Sequence, residues 1–294
     1  MTRPQPKRKT ADVDLGDVQV TVALGAGPRI LRYARRGGPQ LFADLPGEVI
    51  ESATGDFAFL GGHRLWRARE IPSITYEPDD RAAEIDRTTD GFRLTGPPGL
   101  DGISRIVELK QRDDATVVDH TLRNDGSGAV RCAAWSITQL VPGGTAVLAQ
   151  PLDPVDAAGA LPTGRSCFGR TDPAGPEVEL RRSEAHIHAS PTQTRSKIGQ
   201  ANRRGWLAYA LGGEVFVKWA PLHDDSREYA DLGASVECYR DHRFLELESL
   251  GPLTEIEPGS ELRHREVWTL LEVRDRPVGE VLASLPAQPG AMID

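Results

Sequence analysis

Long apolar runs are missing from this chain. Nothing in its 294 residues approaches the ~18 consecutive apolar positions that a membrane-spanning helix needs. The basic, proline-containing start, Met1 to Thr10, is followed by no apolar core segment, so it does not read as a secretory signal. Cysteine is scarce: Cys132, Cys167 and Cys238 are odd in number and far apart, and no C-x-x-C occurs. That argues against a disulfide framework and against a structural zinc site, and it fits a reducing compartment, the cytoplasm. Basic excess is lacking too. Lys and Arg number 35 against 43 Asp and Glu, a net charge of −8, which disfavours nucleic acid or an anionic membrane as the main partner. Helix-length amphipathic segments, internal repeats and long linkers are all absent.

What the chain has instead is 30 glycines and 22 prolines dispersed among short alternating runs, as many strands joined by turns require. Val18–Val22 and Arg29–Tyr33 read as strands, Leu41-Phe42 as a short apolar anchor, and 44–58 as a loop without a period. Ser73–Tyr76, Ala83–Arg87, Phe92–Thr95, Ile103–Lys110, Thr116–Arg123 and Val130–Gln139 read as successive antiparallel strands. Asn124-Asp-Gly126 between two of them is a hairpin signal. Pro151 to Pro176 reads as an irregular loop. Gly212-Gly213 joins a second hairpin, Gly205–Leu211 with Glu214–Trp219. A turn at Glu257–Ser260 precedes a long last strand, and Val278–Leu285 follows Pro277 as a short helix. We therefore expect an all-β sandwich or barrel spanning 13–285, with a disordered basic tail over 1–12 and a C-terminal tail over 286–294.

The chemistry concentrates in Phe244-Leu-Glu-Leu-Glu-Ser-Leu250. Period-two alternation turns Leu245 and Leu247 to a core and puts Glu246 and Glu248 together on the other face. Carboxylates two positions apart lie roughly 7 Å from each other and repel by about 2 kcal/mol at an effective dielectric of about 20. On an open strand water and salt remove that cost; in a hollow a cation or a bound proton must answer it. Both settings fit the stretch taken alone. Gly61-Gly-His-Arg-Leu-Trp66 supplies an imidazole, a guanidinium and an indole, a set suited to polyols and equally to a strand with a buried tryptophan. Trp135, Ile137 and Gln139 share one strand face. His186 and His188 form an H-x-H pair without a third ligand at recognisable spacing, so no metal site is expected.

Gly61-Gly-His-Arg-Leu-Trp66, Ala134-Trp-Ser-Ile-Thr-Gln139 with Pro142-Gly-Gly144, Lys197-Ile-Gly199, Gly205-Trp-Leu-Ala-Tyr209, Val215-Phe-Val-Lys218 and Phe244–Pro252 with Pro258-Gly259 resemble a family of uncharacterised bacterial proteins. That family is similar to the aldose 1-epimerases, or galactose mutarotases. The resemblance covers residues 15 to 273. It implies the antiparallel β-supersandwich of galactose mutarotase-like proteins, a small-molecule carbohydrate on a concave sheet face, and chemistry without metal or organic cofactor. It implies Glu248 as base, with Glu246 its rival on the same face, and Arg64 and Asp231 as sugar-binding residues; to these the residues themselves add Trp66 or Trp135 to stack on a sugar ring, Gln139 beside an aromatic, and Lys197 among the cations that answer the carboxylates. The family's mid-strand histidine, the acid, has no counterpart in Trp135–Gln139; His63 fills the role only if the fold sets it opposite Glu248. Non-catalytic sugar binding, or a lyase or hydrolase reaction on the same scaffold, are the other readings. The sugar and the oligomeric state are left open.

Overall fold

The computed structural model describes residues 9–149, 165–169, 171–181, 184–188, 195–220, 222–223, 227–273 and 276–286. Among these, two 10-stranded sheets and a two-stranded hairpin hold nearly all the regular structure. The first sheet runs, in spatial order, Thr10–Leu15, Val18–Ala23, Arg29–Arg35, His63–Ala68, Val130–Leu140, Leu245–Leu250, Val236–Arg240, Ser196–Gln200 and Arg165–Cys167, with Thr254–Ile256 added beside Val130–Leu140. The second runs Val178–Leu180, Glu184–His188, Thr145–Ala149, Trp206–Leu211, Glu214–Trp219, Glu261–Glu272, Ala115–Asn124, Ile103–Arg112, Gly91–Thr95 and Glu84–Arg87. The pairings are antiparallel, as a chain rich in short turns and poor in crossover helices requires.

The sheets pack face to face over one apolar core that takes Tyr33, Leu65, Leu245 and Leu247 from the first and Leu109, Leu122, Phe216 and Trp268 from the second. Tyr33, Phe42, Phe216 and Trp268 pack together at its centre, Tyr33 stacked on Phe42 and the other pairs edge-to-face or tilted, with centroids 5.1 Å apart for Tyr33 and Trp268. Such pairs each add about 0.5–1.5 kcal/mol beyond their area. A second cluster, with Phe57, Phe59, Trp66, Trp135, Tyr229 and Phe244, lies on the outer face of the first sheet. A third packs Trp206 and Trp219 against Leu282 of the helix Val278–Ala283 on the outer face of the second. The central strands are therefore buried on both sides. His63–Ala68 and Leu245–Leu250 are buried at every position, whereas Thr10–Leu15 alternates between exposed and buried.

Several expectations change. Residues 44–58 are not a loop: Asp44–Ser52 and Gly55–Gly61 form a hairpin that covers the outer face of the first sheet. It meets the cluster beneath through Leu45, Phe57 and Phe59, with Ile50 packed against it. Ser73–Tyr76 is not a strand; Pro72–Thr75 is one helical turn, closed where Thr75 Oγ1 accepts the Ile71 amide. Asn124-Asp-Gly126 does not close a hairpin. It carries the chain from the second sheet to the first, and Asn124 spends its amide on the carbonyls of Gly128 and Ile256. The first strand begins at Thr10, inside the stretch expected to be tail. The expected loop at 151–176 lies largely outside the described residues, but Arg165–Cys167 within it pairs with Ser196–Gln200.

Gly61 and Gly62 turn the hairpin into the strand that carries Arg64. Both have left-handed backbone, φ +84° and +71°. A Cβ on Gly62 would sit 2.1 Å from the Ile30 carbonyl oxygen. Gly62→Ala is therefore expected to cost about 2–4 kcal/mol, read as a lowered urea midpoint with an unchanged m-value.

Candidate functional site

Pairing aligns one row of side chains across the outer face of the first sheet. Trp135 stands opposite Trp66 and Leu250, and Ile137 opposite Arg64 and Glu248. Gln139 stands opposite Glu246, Glu248 opposite Glu237, Glu246 opposite Tyr239, and Tyr239 opposite Lys197. Cross-strand partners share a face. Arg64, Trp66, Trp135, Gln139, Glu246, Glu248 and Lys197, expected together from the sequence, thus meet on one surface.

Two linked groups make up that surface. In the first, the Arg64 guanidinium lies over the Trp66 ring, 4.1 Å from its centroid, and donates to Glu246 at 3.1 Å and to Gln139 at 3.3 Å. Gln139 Nε2 donates to the same Glu246 oxygen at 2.9 Å. Burial, and then the neighbouring Glu248 charge, push the Glu246 carboxyl up to about 7 against the pull of Arg64, Lys197 and Gln139. Burial and Arg29 bring Arg64 down to about 10. A narrow cleft borders this group, lined by Phe57, Arg64, Trp66, Asp79, Arg81 and Arg105 among others; its lining does not include Glu248.

In the second group, the Lys197 ammonium stands between two carboxylates, 2.6 Å from Glu237 Oε2 and 2.9 Å from Glu248 Oε2. Trp135 Nε1 also donates to Glu248 Oε2, at 2.6 Å. Both glutamate side chains are fully buried, and Glu237 Oε1 and Glu248 Oε1 have no hydrogen-bond partner. Burial lowers the lysine's proton affinity, but the carboxylates of Glu248 and Glu237 outweigh it and hold Lys197 charged above the ordinary lysine range. Burial, with Glu248 and Asp231 adding to it, raises Glu237 well above the carboxylate range despite Lys197. Asp231 sits in the turn bridged to Ala234, where its backbone carbonyl accepts from Ser166. The indoles are not free platforms. Trp66 and Trp135 pack edge-on to each other at 5.5 Å, and Lys197 covers the Trp135 ring at 4.9 Å.

His63 does not join this surface. It precedes Arg64 by one position, so the pleat turns it through the sheet to the inner face. There Nε2 meets His120 Nε2 at 2.9 Å and Nδ1 meets Thr138 Oγ1 at 2.9 Å, and the ring packs on Trp268. The expected placement of His63 opposite Glu248 is thereby corrected. Lys218 and Glu266, paired at 3.0 Å, complete the inner cluster with Ser136, Ser249 and His264. His63, His120 and Glu266 bring ligand-type atoms within 4.8 Å of one another. The bonds here spend the imidazoles on each other and the carboxylate on Lys218. His186 and His188 stand apart; His188 bonds Thr145.

Glu237 escaped the sequence reading. Its signal was the hairpin around Asp241–Phe244, which sets Glu237 against Glu248 and Tyr239 against Glu246.

Two large antiparallel sheets packed face to face, with a polar row on the outer face of one, define a β-supersandwich. Within that class the fold is the galactose mutarotase-like one. A galactose mutarotase-like protein from Lactobacillus casei ATCC 334 superposes with a TM-score of 0.58 at 11% identity, over 90% of this chain and 100% of that one. A candidate aldose 1-epimerase from Escherichia coli K12 gives 0.57 at 10% identity, over 90% and 99%. A TPR-domain containing protein from Parabacteroides distasonis ATCC 8503 gives 0.59 at 15%, over 96% of this chain and 52% of that one. At these identities the likeness concerns the fold. No family profile and no functionally curated protein matches the chain.

The inner cluster sets an acid limit on stability. Burial holds His63, His120 and His264 below the ordinary histidine range, His264 at about 3. Only the unfolded chain takes up their protons as pH falls below about 6.5, so stability drops there by on the order of 2 kcal/mol by pH 5 for each imidazole that stays neutral. Glu266 is fully buried, yet Lys218 and the imidazoles outweigh that burial and depress its carboxyl. Its contribution is complete above about pH 4.3 and is lost below it as pH falls toward the depressed folded value. Urea midpoints between about pH 7.5 and about pH 5 should fall steeply, and His264→Phe should flatten that slope.

Proposed function

We propose that this protein acts on a small carbohydrate at the outer face of the first sheet, interconverting sugar anomers by acid/base chemistry of the aldose 1-epimerase type. The observation that carries the reading is Glu248. Its carboxylate is pinned at one oxygen by Trp135 and Lys197 and leaves the other, buried, without a partner. A buried acceptor left open is costly, by about 1–3 kcal/mol, unless something with a donor occupies the site. A sugar hydroxyl is such a donor. In the reaction Glu248 takes the proton of the anomeric hydroxyl, the C1–O bond to the ring oxygen breaks, the C1–C2 bond turns, and the ring closes on the other face. Arg64, Gln139, Glu246, Lys197 and Asp231 hold hydroxyls, and Trp66 and Trp135 lie under Arg64 and Lys197 and position those cations. His63 acts in the core.

The alternative, sugar binding without turnover, is favoured by one observation: the imidazole expected as acid faces the inner core. Exchange NMR on a panel of aldoses separates the two. Accelerated anomer exchange, lost by ~100-fold or more in Glu248→Gln, supports the epimerase reading. Saturable binding without acceleration selects the alternative. A product absorbing in the ultraviolet would indicate a lyase, and no binding to any sugar would end both readings.

A further inference from the structure

Resting on the epimerase reading above, we infer that Glu237 is the general acid of the site, so that a glutamic acid–glutamate pair bridged by Lys197 performs the proton transfers for which an imidazole was expected. Glu237 and Glu248 are direct cross-strand partners, so their carboxyl groups rise side by side from the sheet. Each turns its Oε2 to the same ammonium, at 2.6 Å and 2.9 Å, and leaves Oε1 without a hydrogen-bond partner while fully buried. Room for this exists because residue 199, opposite Glu237, is glycine. A Cβ there would stand 2.8 Å from Ala234 Cβ and 3.3 Å from Glu237 Oε1.

The charges divide the roles. Lys197 contacts both carboxyls, Trp135 donates only to Glu248, and Asp231 adds negative charge on the Glu237 side. Two carboxylates around one ammonium leave a net negative charge out of water; one proton held by the pair removes it. Trp135 gives Glu248 a donor that Glu237 lacks, while burial, Glu248 and Asp231 raise Glu237, so the shared proton is assigned to Glu237. Ring opening then balances. Glu248 accepts the proton of the anomeric hydroxyl, the C1=O double bond forms, the electron pair of the breaking C1–O bond goes to the ring oxygen, and the Glu237 proton follows it. Closure on the other face returns both protons to their starting groups.

Two measurements on the full-length protein test this. Infrared difference spectra between neutral and alkaline pH, taken in a Glu246→Gln background because Glu246 itself lies at about 7, should show a protonated carboxyl band that Glu237→Gln removes. Anomer exchange should fall ~100- to 10,000-fold in Glu237→Gln and lose its alkaline limb, with sugar affinity within about threefold of wild type. Glu237→Asp, which keeps a carboxyl, should recover part of the rate and the alkaline limb, and it serves if the glutamine variant fails to fold. Exchange that persists in Glu237→Gln with an unchanged pH profile, while Glu248→Gln is inactive, overturns the assignment and leaves the epimerase reading standing. A wild type that exchanges no sugar overturns both.

Discussion

One ammonium group held between two buried carboxylates organises the outer face of the first sheet. At an effective dielectric of about 20, charges about 3 Å apart attract by roughly 5 kcal/mol, more than the roughly 3 kcal/mol by which two charged carboxylates about 5 Å apart would repel, and a proton on Glu237 removes that repulsion. Lys197 therefore holds Glu237 and Glu248 in place, although withdrawing charged groups from water costs several kcal/mol per ion. A site with this balance stores an excess of acceptors: the two Oε1 atoms without partners. That excess, rather than an open bowl, makes the surface suited to a ligand rich in hydroxyl donors.

The central strands Val130–Leu140 and Leu245–Leu250 connect this surface to a second polar assembly on their reverse side. Ser136, Thr138 and Ser249 face inward to His63, Lys218, His264 and Glu266, while Trp135, Gln139, Glu246 and Glu248 face outward. Both networks are buried, and each draws its members from several strands. The inner one is nearly closed on itself, so its groups serve to fix register between the sheets. The outer one is left incomplete. That difference, not residue type, separates the nearly closed histidine cluster from the open glutamate pair here.

Much of this was readable in particular residues. The alternation at 244–250 correctly separated the two leucines from the two glutamates, and the parity of Trp135, Ile137 and Gln139 correctly put them on one face. The same rule, applied to Gly61–Trp66, would have sent His63 and Arg64 to opposite sides, since adjacent strand residues cannot share a face. The hairpin at 44–61 was missed because its strands touch the body through only a few side chains. The Asn124 turn was misread because an Asn-Asp-Gly sequence marks a reversal of the chain but not which sheet receives the next strand.

Sequence alone determined the all-β class, the strand faces and the pairing of Glu246 with Glu248, because side-chain period and turn chemistry are local properties of the backbone. Tertiary structure alone decided that Lys197 stands between Glu237 and Glu248, that His63 lies across the sheet from them, and that oxygens of both glutamates stay unpartnered. Those facts depend on which distant strands become neighbours and on how deeply they are buried, and both are set by the packing of the whole sandwich.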